Sequence, residues 1–174
     1  TSHVYKFSQK KINEKSKLKP SSLYGLTKLK AEKYIQKKLK KAEIPFCIGR
    51  IFSFTHKKQT SDFVIPGIIK KAKSNKKIVY FENTNHYRDF LSTSDICKAI
   101  NILFKKRANG IYNIGSGKKI LISHIIKLIF KKYKKIYRIN KKNKSTWLVA
   151  DINKIKKFKW KPKNNILSIV NELT

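Results

Sequence analysis

Three observations predict an α/β fold built on a parallel sheet. The chain opens with the order strand, helix, apolar strand, the repeat of a parallel sheet with crossover helices. Its 174 residues, 40% of them apolar, suffice for one real core or a large piece of a bigger one. No apolar run reaches the ~18 residues of a spanning helix, and "TSHVYKFSQKK" lacks the apolar stretch of a secretory leader.

Thr1 to Tyr5 reads as the end of a strand leaving the core, followed by a polar loop that Pro20 ends. Ser21 or Ser22 caps a helix in which Leu26, Leu29, Ile35 and Leu39 recur at roughly helical spacing. "IPFCIGRIF", Ile44 to Phe52, is predicted as a buried strand covered on both faces. "SDFVIPGIIKKAK" then reads as a helix with an early proline, "KIVYF" as a short strand, and "STSDICKAINILFKK" as an amphipathic helix opened by Ser92 or Thr93. "GIYNIGSG", Gly110 to Gly117, is a strand running into a turn, and "LISHIIKLIFKKY" a helix with Ile and Leu on its inner face. A short strand "KIYRI", the helix "DINKIKKF" and a last helix from about Asn165 complete the chain, with no internal repeat or low-complexity linker.

The 43 basic residues outnumber the nine acidic ones to give a formal charge of +34. Phosphate neutralisation makes such a chain adhere to polyanions, so a non-catalytic lysine-rich module for RNA or anionic surfaces is the alternative reading. The distribution speaks against specific nucleic-acid recognition: lysines stand in nearly every segment, and only Arg50, Arg88, Arg107 and Arg138 are arginines. Cys47 and Cys97 form no disulfide or metal pattern, which suits a reducing cytoplasm. His56, His86 and His124 lack metal-like spacing, so no metal is expected. The chain has no methionine, which predicts a piece of a longer protein or a processed product.

"SSLYGLTKLKAEKY", Ser21 to Tyr34, sets Tyr24 four residues before Lys28 at the start of a predicted helix. Residues i and i+4 share a helix face. A phenol is a poor base at neutral pH, and a nearby ammonium favours the phenolate, so the spacing suits proton transfer to or from a sugar hydroxyl or ketone. Lysine is so abundant that Tyr34 with Lys38 and Tyr137 with Lys141 meet the same spacing. Context decides between them.

"LKPSSLYGLTKLKAEKYI" resembles the active-site helix of the extended short-chain dehydrogenase/reductases, the NAD-dependent epimerase/dehydratase family acting on nucleotide sugars; Glu32 stands where that family has a glutamate four residues after the lysine. Five further stretches follow in the family's order: "TSHVY", "IPFCIGRIFSF", "YRDFLSTSDICKAI", "GIYNIGSGKKILISHII" and "VADINKIKKFKWKP". The resemblance implies the C-terminal part of a Rossmann-like parallel sheet plus a small mixed α/β substrate-binding domain. Residues 1–56 would belong to the first and 57–174 mainly to the second, with 92–116 returning a helix and strand to the sheet.

It also implies NAD or NADP as cofactor and a nucleoside-diphosphate sugar as substrate. Tyr24 takes the place of the acid/base, Lys28 of the residue that holds the nicotinamide ribose, and Thr1 of the hydroxyl that bonds the reacting sugar oxygen. Ile51 falls at a cofactor contact and Ser53 at a substrate contact, although the family usually ends that strand in Asn. Arg88 resembles the arginine that clamps the substrate diphosphate, with a surface pair to Asp89 as its competing role. Asp95 is expected as a helix-start cap, Asn113, Gly115 and Gly117 as turn-shaping residues, and His3 as a neighbour of the site.

The glycine-rich phosphate loop of a Rossmann fold is absent, so the cofactor-binding half is expected before Thr1 and this piece alone is expected to lack turnover. Epimerase, dehydratase and 4-keto reductase remain open. A stretch similar to GDP-4-keto-6-deoxymannose reductases, "RIFSFTHKKQTSDFVIP", favours the last. No membrane partner is expected, and a homodimer stays open.

Overall fold

The structure, a computed structural model, describes residues 1–140 and 144–174. The Thr1 hydroxyl accepts from the His3 N–H at 3.3 Å and caps a three-residue 3-10 turn, Ser2–Val4, which the Tyr5 N–H closes onto the Ser2 carbonyl at 3.1 Å. The strand end expected here is therefore a capped turn, because a side chain satisfies the backbone that a sheet neighbour would have to satisfy; Tyr5 makes only an isolated bridge to Leu18. The polar loop that follows is pinned: Ser8 and Trp147 exchange backbone hydrogen bonds, Ile12 bonds Val149 and Asp151, and its side chain is buried.

The regular elements are α1 (Leu23–Lys41), β1 (Cys47–Ile51), β2 (Ser53–Thr55), α2 (Val64–Ala72), β3 (Ile78–Glu82), β4 (His86–Arg88), β5 (Phe90–Ser92), α3 (Thr93–Lys105), β6 (Gly110–Ile114), β7 (Ile120–Leu121), α4 (Ile122–Lys132), β8 (Ile136–Asn140), β9 (Thr146–Leu148), α5 (Asn153–Lys156) and α6 (Ile166–Leu173). Side chains set the helix starts. Ser22 accepts from the Gly25 N–H, Ser92 from the Asp95 N–H, and Asn165 with Ser168 forms a reciprocal capping box.

Parallel pairing dominates. β1 runs beside β6, β2 beside β5 and β3 beside β8, while β4 lies between antiparallel β7 and parallel β9. The fold is a mixed α/β fold with parallel strands, as expected. The burial expected for Ile44 to Phe52 is corrected: Ile44 lies outside the strand and is exposed, Cys47 is exposed, and Arg50 is the one buried residue of β1. Among the described residues β1 has a strand on one edge only.

Two apolar clusters hold the chain together. The first joins Val4, Tyr5, Leu29, Phe52, Leu103 and Ile114 with Trp160, and so ties the N-terminal turn, α1, the β1–β6 pair and α3 to the segment after β9. The second packs α2, β3, α4 and α6 through Ile65, Phe81, Ile125, Ile129, Phe130 and Val170. Each fully buried side chain of this size contributes roughly 1.5–3 kcal/mol. Among the described residues no helix is long and apolar enough to cross a membrane, and no cluster of His, Cys, Asp and Glu could hold a metal.

Candidate active site

Tyr24 lies in the first turn of α1 and Lys28 one turn later, with the Lys28 Nζ 5.7 Å from the centre of the Tyr24 ring. Tyr34 and Lys38 reproduce that contact at 5.6 Å on the same helix, so the spacing alone creates the geometry and distinguishes neither pair. Lys141, the partner of Tyr137 by spacing, lies outside the described residues.

Surroundings distinguish them. A Cβ on Gly25 would strike the His3 carbonyl and come within 3.1 Å of the Pro20 Cβ. Only glycine lets the start of α1 rest directly on the 3-10 turn. That contact sets the His3 imidazole edge-on to the Tyr24 ring, with centroids 5.6 Å apart and planes at 81°. Thr1 caps the same turn, so the structure gathers Thr1, His3, Tyr24 and Lys28 into one cluster. The cluster is open: Tyr24 is 53% exposed. A hollow of about 710 Å³ lined by Ser61, Lys70, Lys71, Lys76 and Tyr80 involves none of these residues.

Beneath the cluster runs a buried polar chain. Glu32 follows Lys28 by one turn and accepts from Arg50 through one oxygen, Oε2, at 3.0 Å from Nε and 2.7 Å from Nη2. The Arg50 Nη1 donates to the Tyr5 hydroxyl at 2.8 Å, and that hydroxyl donates to Asn113 Oδ1 at 2.7 Å. The Asn113 side chain continues to the Ile12 carbonyl, while its backbone N–H reaches Glu14. Burial alone would lower the Arg50 pKa, but the hydrogen bonds to Glu32 and Tyr5 outweigh it and raise it. Burial pushes the Tyr5 phenol up against the opposing hydrogen bond from Arg50. The chain fastens α1 to β1, β6 and the N-terminal turn, and so fixes how α1 presents Tyr24 and Lys28. Sequence reasoning named Glu32 only as a motif position and gave Asn113 a turn-shaping role; Asn113 is fully buried in this chain of bonds.

Arg88 closes β4. Its Nη1 donates to the Tyr87 carbonyl at 2.8 Å and to the Thr146 carbonyl and hydroxyl at 3.2 and 3.4 Å, and its guanidinium lies over Phe7. Asp89 does not pair with it. That carboxylate is fully buried and accepts from Ser116 N–H and Oγ, Gly117 N–H and Ala150 N–H, which replaces the surface pair considered from sequence. Burial pushes Asp89 up, against these hydrogen bonds. A Cβ on Gly115 would lie 2.7 Å from the Asp89 Oδ2, and Gly117 has φ +70°, so both glycines are needed where the turn wraps the carboxylate. Burial lowers the Arg88 pKa with no carboxylate to oppose it; among the described residues the ion pair is Arg50 with Glu32. Burial first, and then the Arg88 charge, lower the His3 pKa.

Ile51 and Ser53 flank Phe52 at the carboxyl end of β1 and the start of β2. Ile51 is opposite Ile114 and Ser53 opposite Phe90, and neither shares a hydrogen bond or ring contact with Tyr24 among the described residues. Asp95 is not the cap expected of it. Ser92 caps α3, and the buried Asp95 carboxylate accepts instead from the Lys163 and Asn164 N–H groups.

Residues 1–173 match the sequence family described as GDP-mannose 4,6 dehydratase. The chain is 33% identical over 131 residues to an uncharacterized UDP-glucose epimerase of Bacillus subtilis, covering 74% of this chain and 42% of that one. The UDP-glucuronic acid 4-epimerase of Bacillus cereus, solved with UDP-glucuronic acid and NAD, is 27% identical and superposes with a TM-score of 0.85 over 99% of this chain and 57% of its own. A Pseudomonas aeruginosa protein complexed with NADPH shares the fold at 18% identity, with a TM-score of 0.88 over 99% and 62% of the two chains. The chain spans about half or less of the length of the curated relatives it matches.

Proposed function

The chain belongs to the GDP-mannose 4,6 dehydratase family, among the NAD-dependent nucleotide-sugar epimerases and dehydratases, and from that premise we propose that it carries the acid–base and substrate-binding residues of such an enzyme. One observation carries the reading: Gly25 seats Tyr24 and Lys28 directly on the turn that holds Thr1, an arrangement Tyr34 and Lys38 lack.

NAD or NADP, when bound, supplies hydride acceptance and return at a sugar carbon. The residues present suit its nicotinamide end: the Lys28 ammonium has no carboxylate partner among the described residues and is free to hold a ribose hydroxyl. They do not supply the phosphate-binding turn, for which the sequence has no G-x-x-G-x-x-G. Tyr24 exchanges a proton with the sugar oxygen, and the Lys28 ammonium stabilises the negative charge left on the phenol oxygen as its proton departs. The Thr1 oxygen accepts from the His3 N–H and keeps its own hydrogen to donate to the same sugar oxygen. Arg88 has Nη1 engaged, and Nη2 and Nε, without a hydrogen-bond partner among the described residues, would serve the diphosphate through the planar fork.

Ile51 lines the cofactor side and Ser53 the substrate side, at the carboxyl end of a parallel strand, where open α/β sheets bind ligands. Residues 1–56 with 92–116 form the sheet unit, and 57–174 mainly the substrate unit. The exposed, unpaired thiols Cys47 and Cys97 suit a cytoplasmic enzyme.

The test is turnover of the complete protein, with the cofactor-binding half expected before Thr1, with NAD and with UDP-glucose, dTDP-glucose and GDP-mannose. Tyr24→Phe should lose about 10²–10⁴-fold in rate while cofactor binding stays near normal, the range for a missing acid/base. Lys28→Ala should weaken both, and Tyr34→Phe neither. Near-normal turnover of Tyr24→Phe would remove Tyr24 from the chemistry.

A further inference from the structure

We propose that His86 is a second anion-binding residue beside Arg88, donating its Nε2–H to the substrate diphosphate, and that the Thr146 hydroxyl is the positioning group that holds the two side chains together. The proposal rests on the assignment of Arg88 to the diphosphate made above. Strand alternation puts His86 and Arg88 on one face of β4, and β9 brings Thr146 directly opposite His86. Both side chains meet its hydroxyl: the His86 Nδ1 lies 3.0 Å from the Thr146 Oγ1, and the Arg88 Nη1 donates to that oxygen at 3.4 Å. The imidazole and the guanidinium are one hydroxyl apart.

The hydrogens decide what His86 offers. A guanidinium only donates, so the Thr146 oxygen receives from Arg88 and its own hydrogen is left for an acceptor, which the His86 Nδ1 supplies. In a neutral ring whose Nδ1 accepts, Nε2 carries the hydrogen. Burial, and then the Arg88 charge, favour that neutral ring. Among the described residues Nε2 has no hydrogen-bond partner, so its N–H is left to an outside acceptor.

The neighbours make that acceptor an anion. Arg88 supplies a cation with no carboxylate to answer it, and the buried Asp89 gives its oxygens to Ser116, Gly117 and Ala150. A diphosphate has oxygens enough to accept from the imidazole and the guanidinium together. The pair is also backed by a rigid support. On the opposite face of the sheet the Tyr87 and Trp147 rings meet at 5.5 Å, and the Lys119 ammonium lies 4.6 and 4.1 Å from their centres. This stack sets β4 against β9 and keeps Thr146 beside His86.

The test is calorimetric titration of the complete protein with UDP-glucose, dTDP-glucose and GDP-mannose, followed in the variants with whichever binds wild type best. The amide nitrogen of Gln can stand where the imidazole Nε2 does, and that of Asn where Nδ1 does. His86→Leu and His86→Asn should therefore bind the sugar nucleotide about tenfold more weakly, the scale of one hydrogen bond to a charged group, while His86→Gln stays near wild type. Thr146→Val should lose about three- to tenfold and Thr146→Ser recover it. NAD binding should not change in any of them. Equal binding of the sugar nucleotide by wild type and His86→Leu overturns the proposal. So does retention in His86→Asn with loss in His86→Gln, which assigns the contact to Nδ1, and so does an equal weakening for NAD and sugar nucleotide, which marks a packing effect. Normal binding by Thr146→Val overturns the positioning role of Thr146. A weakened Arg88→Lys beside a normal His86→Leu overturns this proposal alone; wild type that binds none of the sugar nucleotides overturns the enzyme reading with it.

Discussion

Arg50 and Arg88 are both withdrawn from water, and they differ in what answers the charge. Arg50 is 2% exposed and meets a carboxylate, a phenol and a ring face inside the chain, all supplied by Glu32 and Tyr5. Arg88 meets carbonyls, a hydroxyl and the Phe7 ring, while the neighbouring Asp89 spends its oxygens on the Ser116 turn and Ala150. The physical consequences are opposite. Hydrogen bonds raise the pKa of Arg50 in spite of burial, whereas burial lowers that of Arg88. A buried guanidinium with its counter-charge built in is an anchor, and a partly buried one without it is a place for an anion from outside.

Breaking the anchor should have the largest effect. Glu32→Ala leaves the Arg50 cation buried and unpaired, which costs about 3–5 kcal/mol, read as a fall in urea-unfolding free energy. A loss under 1 kcal/mol would mean that Arg50 finds water or another partner. Asp89→Asn comes next. An amide cannot accept all four of the hydrogen bonds that Asp89 takes, and each buried donor left unmet costs roughly 1–3 kcal/mol. If Asp89 were secretly the partner of Arg88, the same variant would instead tighten nucleotide diphosphate binding, an outcome the geometry does not predict. Tyr5→Phe should have a smaller effect, about 1 kcal/mol, because it removes one hydroxyl from between Arg50 and Asn113 and leaves the Glu32 pair whole. A double-mutant cycle with Glu32→Ala should then show coupling, since both residues act through the same guanidinium.

The anchor and the open cation were not equally legible in the sequence. Arg88 could be proposed because its signal is local: it stands beside Asp89 in a short motif, and an arginine fork has a known geometry for phosphate. The anchor joins residues 45 and 108 positions apart, Arg50 to Tyr5 and Tyr5 to Asn113, and no periodicity announces such a pairing. Its one sequence signal was Glu32 at i+4 from Lys28, an acidic residue among lysines on the face that carries the candidate pair. Caps and element order were legible where a single side chain decides them, as Ser22 and Asn165 show. They were not where tertiary contact decides. Ile12 sits in a stretch that reads as a polar loop and is buried because Val149 and Asp151 hold its backbone; Thr1 to Tyr5 turns instead of extending because Thr1 caps it. Gly25 was visible as part of Tyr-Gly, but its reason, the His3 carbonyl lying against it, is a contact across 22 positions.

Titration of UDP into wild type, Arg88→Lys and Tyr5→Phe, each with its unfolding free energy measured in parallel, most directly tests whether the open cation reads the substrate while the closed one holds the fold. Arg88→Lys keeps the charge and loses the planar fork, so UDP affinity should fall about tenfold, the scale of one charge-assisted hydrogen bond, with stability within about 0.5 kcal/mol of wild type. Tyr5→Phe should show the reverse, lower stability and unchanged UDP affinity. UDP bound equally well by Arg88→Lys and wild type would contradict the assignment of Arg88 to the substrate and leave the two arginines without the division of labour their surroundings indicate.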